Sequence, residues 1–177
     1  MTETFLSKAD ILSIPDELCP MPLLSDNLRS VFSLGIKIHE QGCYNHFMWY
    51  IGRGLVASQD YIFRATPIAD YFKKYRLKFW YCPLWTKEHR RILKRNIISD
   101  IRKPWYKRLY DPLAIVGQAL YLDWIQTPGI DICSDKGEYI KLVDKNYSLS
   151  HPDPENINRW LESQRGKYQV YGRYVPD

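Results

Sequence analysis

The stretch that decides the fold reads Tyr44-Asn45-His46-Phe47-Met48-Trp49-Tyr50-Ile51-Gly52-Arg53-Gly54-Leu55-Val56-Ala57-Ser58-Gln59. Tyr44 to Ile51 is rich in aromatic and branched residues and has the composition of a strand. Gly52-Arg53-Gly54 supplies a hairpin-like turn, because glycine adopts positive φ without steric cost. Leu55 to Ser58 continues as the returning strand. Side chains alternate along a strand, so His46, Met48 and Tyr50 share one face and Asn45, Phe47, Trp49 and Ile51 the other. Both faces are apolar, which predicts a central strand covered on both sides.

Outward from this hairpin, helix and strand signals mix without a regular βαβ alternation. Lys8 to Ile14 reads as a short apolar strand ended by Pro15, and Asp16 to Pro22 as a loop. Ser25 or Asp26 can cap a helix running to about His39. Thr66-Pro67 reads as another helix start, running to about Lys74. Arg76 to Cys82 reads as a strand closed by Pro83. Thr86 caps a basic helix reaching Ile101, which Pro104 and Trp105 break. Asp111-Pro112 opens a helix to about Trp124, and another runs from near Cys133 to Val143. Asp153-Pro154 starts a last helix, and Tyr168 to Val175 is a final strand. The pattern predicts an α+β fold in which an antiparallel sheet packs against helices. At 177 residues, without repeats or linkers, residues 1–177 read as a single domain.

Composition narrows the function classes. Hydrophobic content of 45% and charged content of 25% are those of a globular protein, and an aromatic share of 15% favours a core of large rings. No run approaches the ~18 apolar residues of a membrane helix. The N-terminus lacks the basic and apolar regions of a signal peptide, so the expected setting is a reducing cytoplasm, or a particle into which the protein is packaged. The net charge of +5 is modest but concentrated. Lys87, Arg90, Arg91, Lys94, Arg95, Arg102, Lys103, Lys107 and Arg108 fall in one stretch, either a solvated helix face or a weak contact for an anionic polymer. No phosphate-binding glycine loop occurs, and no cofactor is expected.

Four cysteines, Cys19, Cys43, Cys82 and Cys133, have no C-x-x-C spacing. Cys43 and His46 have ligand-like spacing, but no second close pair completes a zinc site, so no metal is expected. Cys133 follows the Pro128-Gly129 turn and precedes a helix. There the macrodipole and unpaired N–H groups stabilise a thiolate, the nucleophile of cysteine hydrolases. The competing reading is a small buried hydrophobe. His46, on a rigid strand, is either a satisfied core histidine or a general base. A third polar group usually orients such a base, and Ser58 or Gln59 on the returning strand can supply it. His39 reads as a helix C-cap, and His89 and His151 as exposed or structural.

The elements, taken in order, resemble the circularly permuted branch of the NlpC-type papain-like superfamily, the YiiX/YebB-like proteins. Lys8-Ala9-Asp10-Ile11-Leu12 resembles the family's opening G-D-I-L strand. His46 to Val56 resembles its H-x-x-x-Y-I-G-x-G-x-V hairpin. Thr66 to Tyr71 resembles its short helix, Tyr110-Asp111 its Y-D, and Cys133-Ser134-Asp135 its C-S-E. His151-Pro152 resembles the segment before the last helix. The resemblance implies a papain-like, circularly permuted fold and a cysteine amidase or peptidase. Cys133 would attack the carbonyl of a peptide, isopeptide or acyl substrate, and His46 would relay the proton. Tyr110 and the Cys133 N–H would stabilise the oxyanion through a thioacyl-enzyme route. Many family members carry Glu at the end of the hairpin. Ala57-Ser58-Gln59 lacks it, and a neutral partner stabilises imidazolium less than a carboxylate. The rival expectation is an inactive papain-like fold serving as a viral or phage structural or host-interaction protein.

Overall fold

Six strands pair into one antiparallel sheet. In chain order the strands are β1 (Met21–Asn27), β2 (His46–Gly52), β3 (Leu55–Gln59), β4 (Phe63–Pro67), β5 (Tyr75–Tyr81) and β6 (Gln169–Tyr174). Their spatial order is β4-β3-β2-β1-β5-β6. The computed structural model describes residues 4–27, 44–109, 133–149 and 152–176. The helix expected over Asp111–Trp124, most of the one expected after Ser25, and the residues Tyr110, Cys43, His39 and His151 lie outside the described residues. Among the described residues the architecture is α+β, with an antiparallel sheet packed against helices. No helix among them is long and apolar enough to cross a membrane.

Three expected elements take another form. Lys8–Leu12 is a helix, α1, and not a strand. The Ser7 hydroxyl accepts from the Asp10 N–H at 3.1 Å, while the Asp10 carboxylate accepts from the Ser7 N–H at 2.8 Å. This reciprocal capping box overrides the short apolar run. Ser25 and Asp26 lie inside strand β1 and cap nothing. Leu23 and Leu24 bury on opposite faces of that strand, which pairs with both β2 and β5. Pro22, which looks like a breaker, falls outside the ladder with β5, which begins at Leu23. Thr66 and Pro67 end edge strand β4, and the following Ile68–Tyr71 is a single 3-10 turn.

The basic helix α2 (Lys87–Ile101) forms as expected, with Thr86 accepting from the His89 N–H. The last helix, α3 (Pro154–Ser163), is capped by Asp153 with Pro154 in its first turn. Cys133–Leu142 is a ten-residue 3-10 helix. At its Gly137 an added Cβ would stand 2.6 Å from Ile157 Cδ1 and 3.1 Å from the Tyr147 hydroxyl, so glycine lets this helix pack close to both.

The sheet separates two apolar clusters. On one face Phe47, Trp49, Ala57 and Trp80 meet Leu93 and Ile97 of α2, Ile140 of the 3-10 helix, and Ile157 and Leu161 of α3. On the other, Met48, Tyr50, Val56 and Phe79 meet Ile11, Ile68 and Tyr71. Polar ties fix the layers. The Trp49 indole donates to the Lys136 carbonyl at 2.8 Å, holding the 3-10 helix against β2. Lys78, 1% exposed, donates to Glu162 at 2.7 Å and Asn158 at 2.9 Å, joining β5 to α3. A buried ammonium is tolerated only with such partners.

Replacing Trp49 with Phe keeps most of the apolar contact but removes the indole hydrogen bond to the Lys136 carbonyl. A loss of about 1–3 kcal/mol is expected in urea unfolding. An unchanged midpoint would show that the indole bond does not hold the helix.

Candidate functional site

Strand register brings the polar residues together. Trp49 pairs with Ala57 and Tyr50 with Val56. Continuing that register toward the start of β2 sets Asp60, one residue beyond β3, across from His46. At the hairpin end Gly52 pairs with Leu55, so the register shifts by one residue between Tyr50 and Gly52. Such a bulge is what selects Asp60 over its neighbours. The turn itself needs positive φ at Gly52 (95°), Arg53 (53°) and Gly54 (68°). A Cβ at Gly52 would stand 2.4 Å from Asp16 Oδ1.

His46 Nε2 lies 3.3 Å from Asp60 Oδ1, with side-chain exposures of 13% and 33%. The other carboxylate oxygen is held on its far side. Ser58 Oγ donates to Asp60 Oδ2 at 3.1 Å. The Tyr71 hydroxyl is 2.9 Å from that Oδ2 and 2.8 Å from Ser58 Oγ. Tyr71 arrives on the 3-10 turn that follows β4, so the turn behind Pro67 builds this wall of the site. Burial alone would raise the Asp60 pKa. The hydrogen bond and charge of His46, with the Tyr71 and Ser58 hydroxyls, outweigh it and hold the carboxyl down at about 2. Burial, followed by the Asp60 charge, keeps the Tyr71 phenol protonated far above its ordinary range.

The other candidate residues have different places. Ser58 meets Asp60 and Tyr71, and reaches His46 through the carboxylate. Gln59 Nε2 donates to the Arg108 and Leu109 carbonyls, each at 2.9 Å. It clasps the chain leaving α2 to the end of β3, next to the Ile62–Leu109 bridge. Cys133 is the first residue of the 3-10 helix, and its side chain lies outside the described residues. That helix rests on β2 through Trp49, whose ring centroid is 6.4 Å from that of Tyr139. Lys136 binds Asp100 at 3.3 Å and sits over the Phe63 ring. Trp49 and the 3-10 helix share one face of the sheet, whereas the alternation of β2 gives His46 the face of Met48 and Tyr50.

Two further thiols have environments that oppose reactivity. Burial pushes Cys19 up to about 12, and burial likewise raises Cys82. Among the described residues no set of three or more His, Cys, Asp or Glu gathers as a metal site.

Asp60 is the residue that sequence reading does not single out. Its signal is positional: it continues the alternation Val56, Ser58, Asp60 onto the face of His46. Finding it requires the bulge, which the residues Gly52-Arg53-Gly54 do not announce. The chain matches no protein-family model, and comparison with curated proteins gives no match.

The Asp60 pKa lies below its ordinary 3.8, so its ionised form stabilises the fold above about pH 4. That contribution disappears as pH falls toward 2. With partial exposure screening it, the wild type should lose about 1–2 kcal/mol more than Asp60→Asn between pH 5 and pH 2 in urea unfolding. Equal losses in the two proteins would mean that the His46–Asp60 pair carries no net energy.

Proposed function

We propose that this chain is a papain-like, circularly permuted cysteine hydrolase, with Cys133 as nucleophile, His46 as general base and Asp60 as the carboxylate that orients the base. The observation that carries this reading is the His46–Asp60 contact, buttressed by Tyr71 and Ser58. It provides the carboxylate that Ala57-Ser58-Gln59 lacks. The Asp60 carboxylate, 3.3 Å from Nε2, orients the ring and would stabilise the imidazolium formed when His46 takes a proton. The helix beginning at Cys133 supports the thiolate through its first-turn N–H groups.

In this reading the Cys133 proton passes to the His46 imidazole as sulfur attacks the carbonyl carbon of a peptide, isopeptide or acyl substrate. The Cys133 N–H and Tyr110 receive the oxyanion. Collapse forms a thioester, and His46 returns the proton to the departing amine or alcohol. Water, deprotonated by the same imidazole, then releases the acid and restores the thiol.

One observation favours a second reading, a papain-like fold retained without catalysis as a structural or host-interaction protein. The alternation of β2 turns Trp49 toward the Cys133 helix and His46 toward the opposite cluster. In that case the His46–Asp60–Tyr71–Ser58 network is a buried polar staple at the end of the hairpin.

The test is intact-mass detection of a covalent adduct after incubation with a panel of amide, thioester and iodoacetamide probes. The hydrolase reading expects the adduct on Cys133 to form faster than on Cys19, Cys43 or Cys82. It also expects at least ~10²-fold slower turnover in His46→Ala and none in Cys133→Ala. Labelling of Cys133 no faster than of the buried thiols, or labelling indifferent to His46→Ala, would select the second reading.

A further inference from the structure

The outer face of α2 opens on a groove of about 560 Å³ lined by Arg91, Lys94, Arg95, Ile98, Arg102 and Lys103. With Ser99 the lining has seven residues, and five of the seven are cations placed on successive turns of one helix face. Arg91 to Arg102 spans about 16 Å along the axis, enough for several consecutive phosphates. Three carboxylates answer part of the charge, Asp16 acting on Lys94 through space. Glu88 pairs with Arg91 at 2.9 Å and Asp100 with Lys103 at 2.5 Å. Among the described residues Lys94, Arg95 and Arg102 form no ion pair, so the centre of the groove keeps an excess of positive charge.

The chain leaving this helix adds a second feature. Trp105 and Tyr106 are 62% and 55% exposed, with their rings edge-to-face at 6.1 Å. Large rings of this kind are normally buried, as Trp49, Trp80 and Trp85 are here. The pair follows Arg102 and Lys103 after one proline, Pro104, and precedes Lys107 and Arg108. A run of cations that ends in exposed ring faces is the combination that holds a phosphate backbone and stacks unpaired bases.

We propose that the α2 groove and the Trp105–Tyr106 rings form a binding surface for single-stranded nucleic acid. The groove takes the phosphates through Lys94, Arg95 and Arg102, and the rings take a base. A duplex keeps its bases stacked away from the rings, and a flat bilayer does not follow a concave groove. This surface is independent of Cys133 and His46 and stands or falls apart from hydrolase activity.

The experiment measures fluorescence anisotropy of a labelled 20-nucleotide oligo-dT with the full chain over a range of salt. The expected result is binding that weakens with salt, with a log–log slope of about −2 for three phosphates. The single strand should bind at least about ten-fold more tightly than a duplex of equal length. Lys94→Ala/Arg95→Ala/Arg102→Ala should lose at least ten-fold in affinity. Trp105→Ala should lose about ten-fold for the single strand and little for the duplex. Lys73→Ala/Lys74→Ala, which removes two exposed cations away from the groove, controls for net charge. Circular dichroism of each variant controls for folding. Absence of binding at about 50 mM salt would overturn the proposal. So would an equal loss in the Lys73/Lys74 control, or binding confined to anionic phosphatidylglycerol vesicles.

Discussion

Much of this molecule depends on one residue of register. Between Tyr50 and Gly52 the β2–β3 ladder slips by one position. Because side chains alternate, a slip of one exchanges the faces of everything beyond it. With the slip, Trp49 and Ala57 lie together beneath the Cys133 helix, and His46 faces Asp60. Without it, the residue across from His46 would be Tyr61, which is 83% exposed. The turn that permits the slip rests on positive φ at three successive residues, two of them glycine, and on Asp16 packed where a Gly52 side chain would otherwise stand.

Around this hairpin the polar contacts separate into two systems on opposite faces. On one, Asp60 gathers His46, Ser58 and Tyr71 at the end of β3. On the other, Asp100 of α2 receives Lys103 and Lys136 and is bonded by the Tyr139 hydroxyl. Its pKa is lowered, since these partners outweigh its burial. Asp100 therefore joins the cationic helix to the helix that begins at Cys133. The outer surface of α2 and the apolar interior meet at this one carboxylate.

Legibility differed by kind of signal. Caps and periodicity were readable: Thr86 opens α2, Asp153 and Pro154 open α3, and the hairpin from His46 to Gln59 lies where its residues placed it. Local apolarity misled at Lys8–Leu12, because the deciding signal was the Ser7–Asp10 pair and not the run between them. Capping preference misled at Ser25 and Thr66. Ser25 pairs with His46 of β2 and Leu77 of β5, and Thr66 with Val56 of the adjacent strand β3. Intrinsic preference is a weak prior when a sheet position is available. Of the candidate site, His46 and Ser58 were legible from alternation, and Asp60 was not.

The sequence by itself determined an α+β class, the caps at Thr86 and Asp153, the hairpin, a concentrated basic helix, and which residue types could perform thiol chemistry. Those properties depend on neighbours within a few positions, where local geometry and charge decide. Only the tertiary structure decided that Asp60 stands against His46, that Tyr71 and Ser58 hold its far oxygen, and that Gln59 clasps the chain after α2. It also decided that Trp49 anchors the 3-10 helix and that Trp105 and Tyr106 stand in solvent. These relations follow from strand register and from which surfaces neighbouring elements leave uncovered. Both are set by packing across the whole sheet, and no short window of residues encodes them.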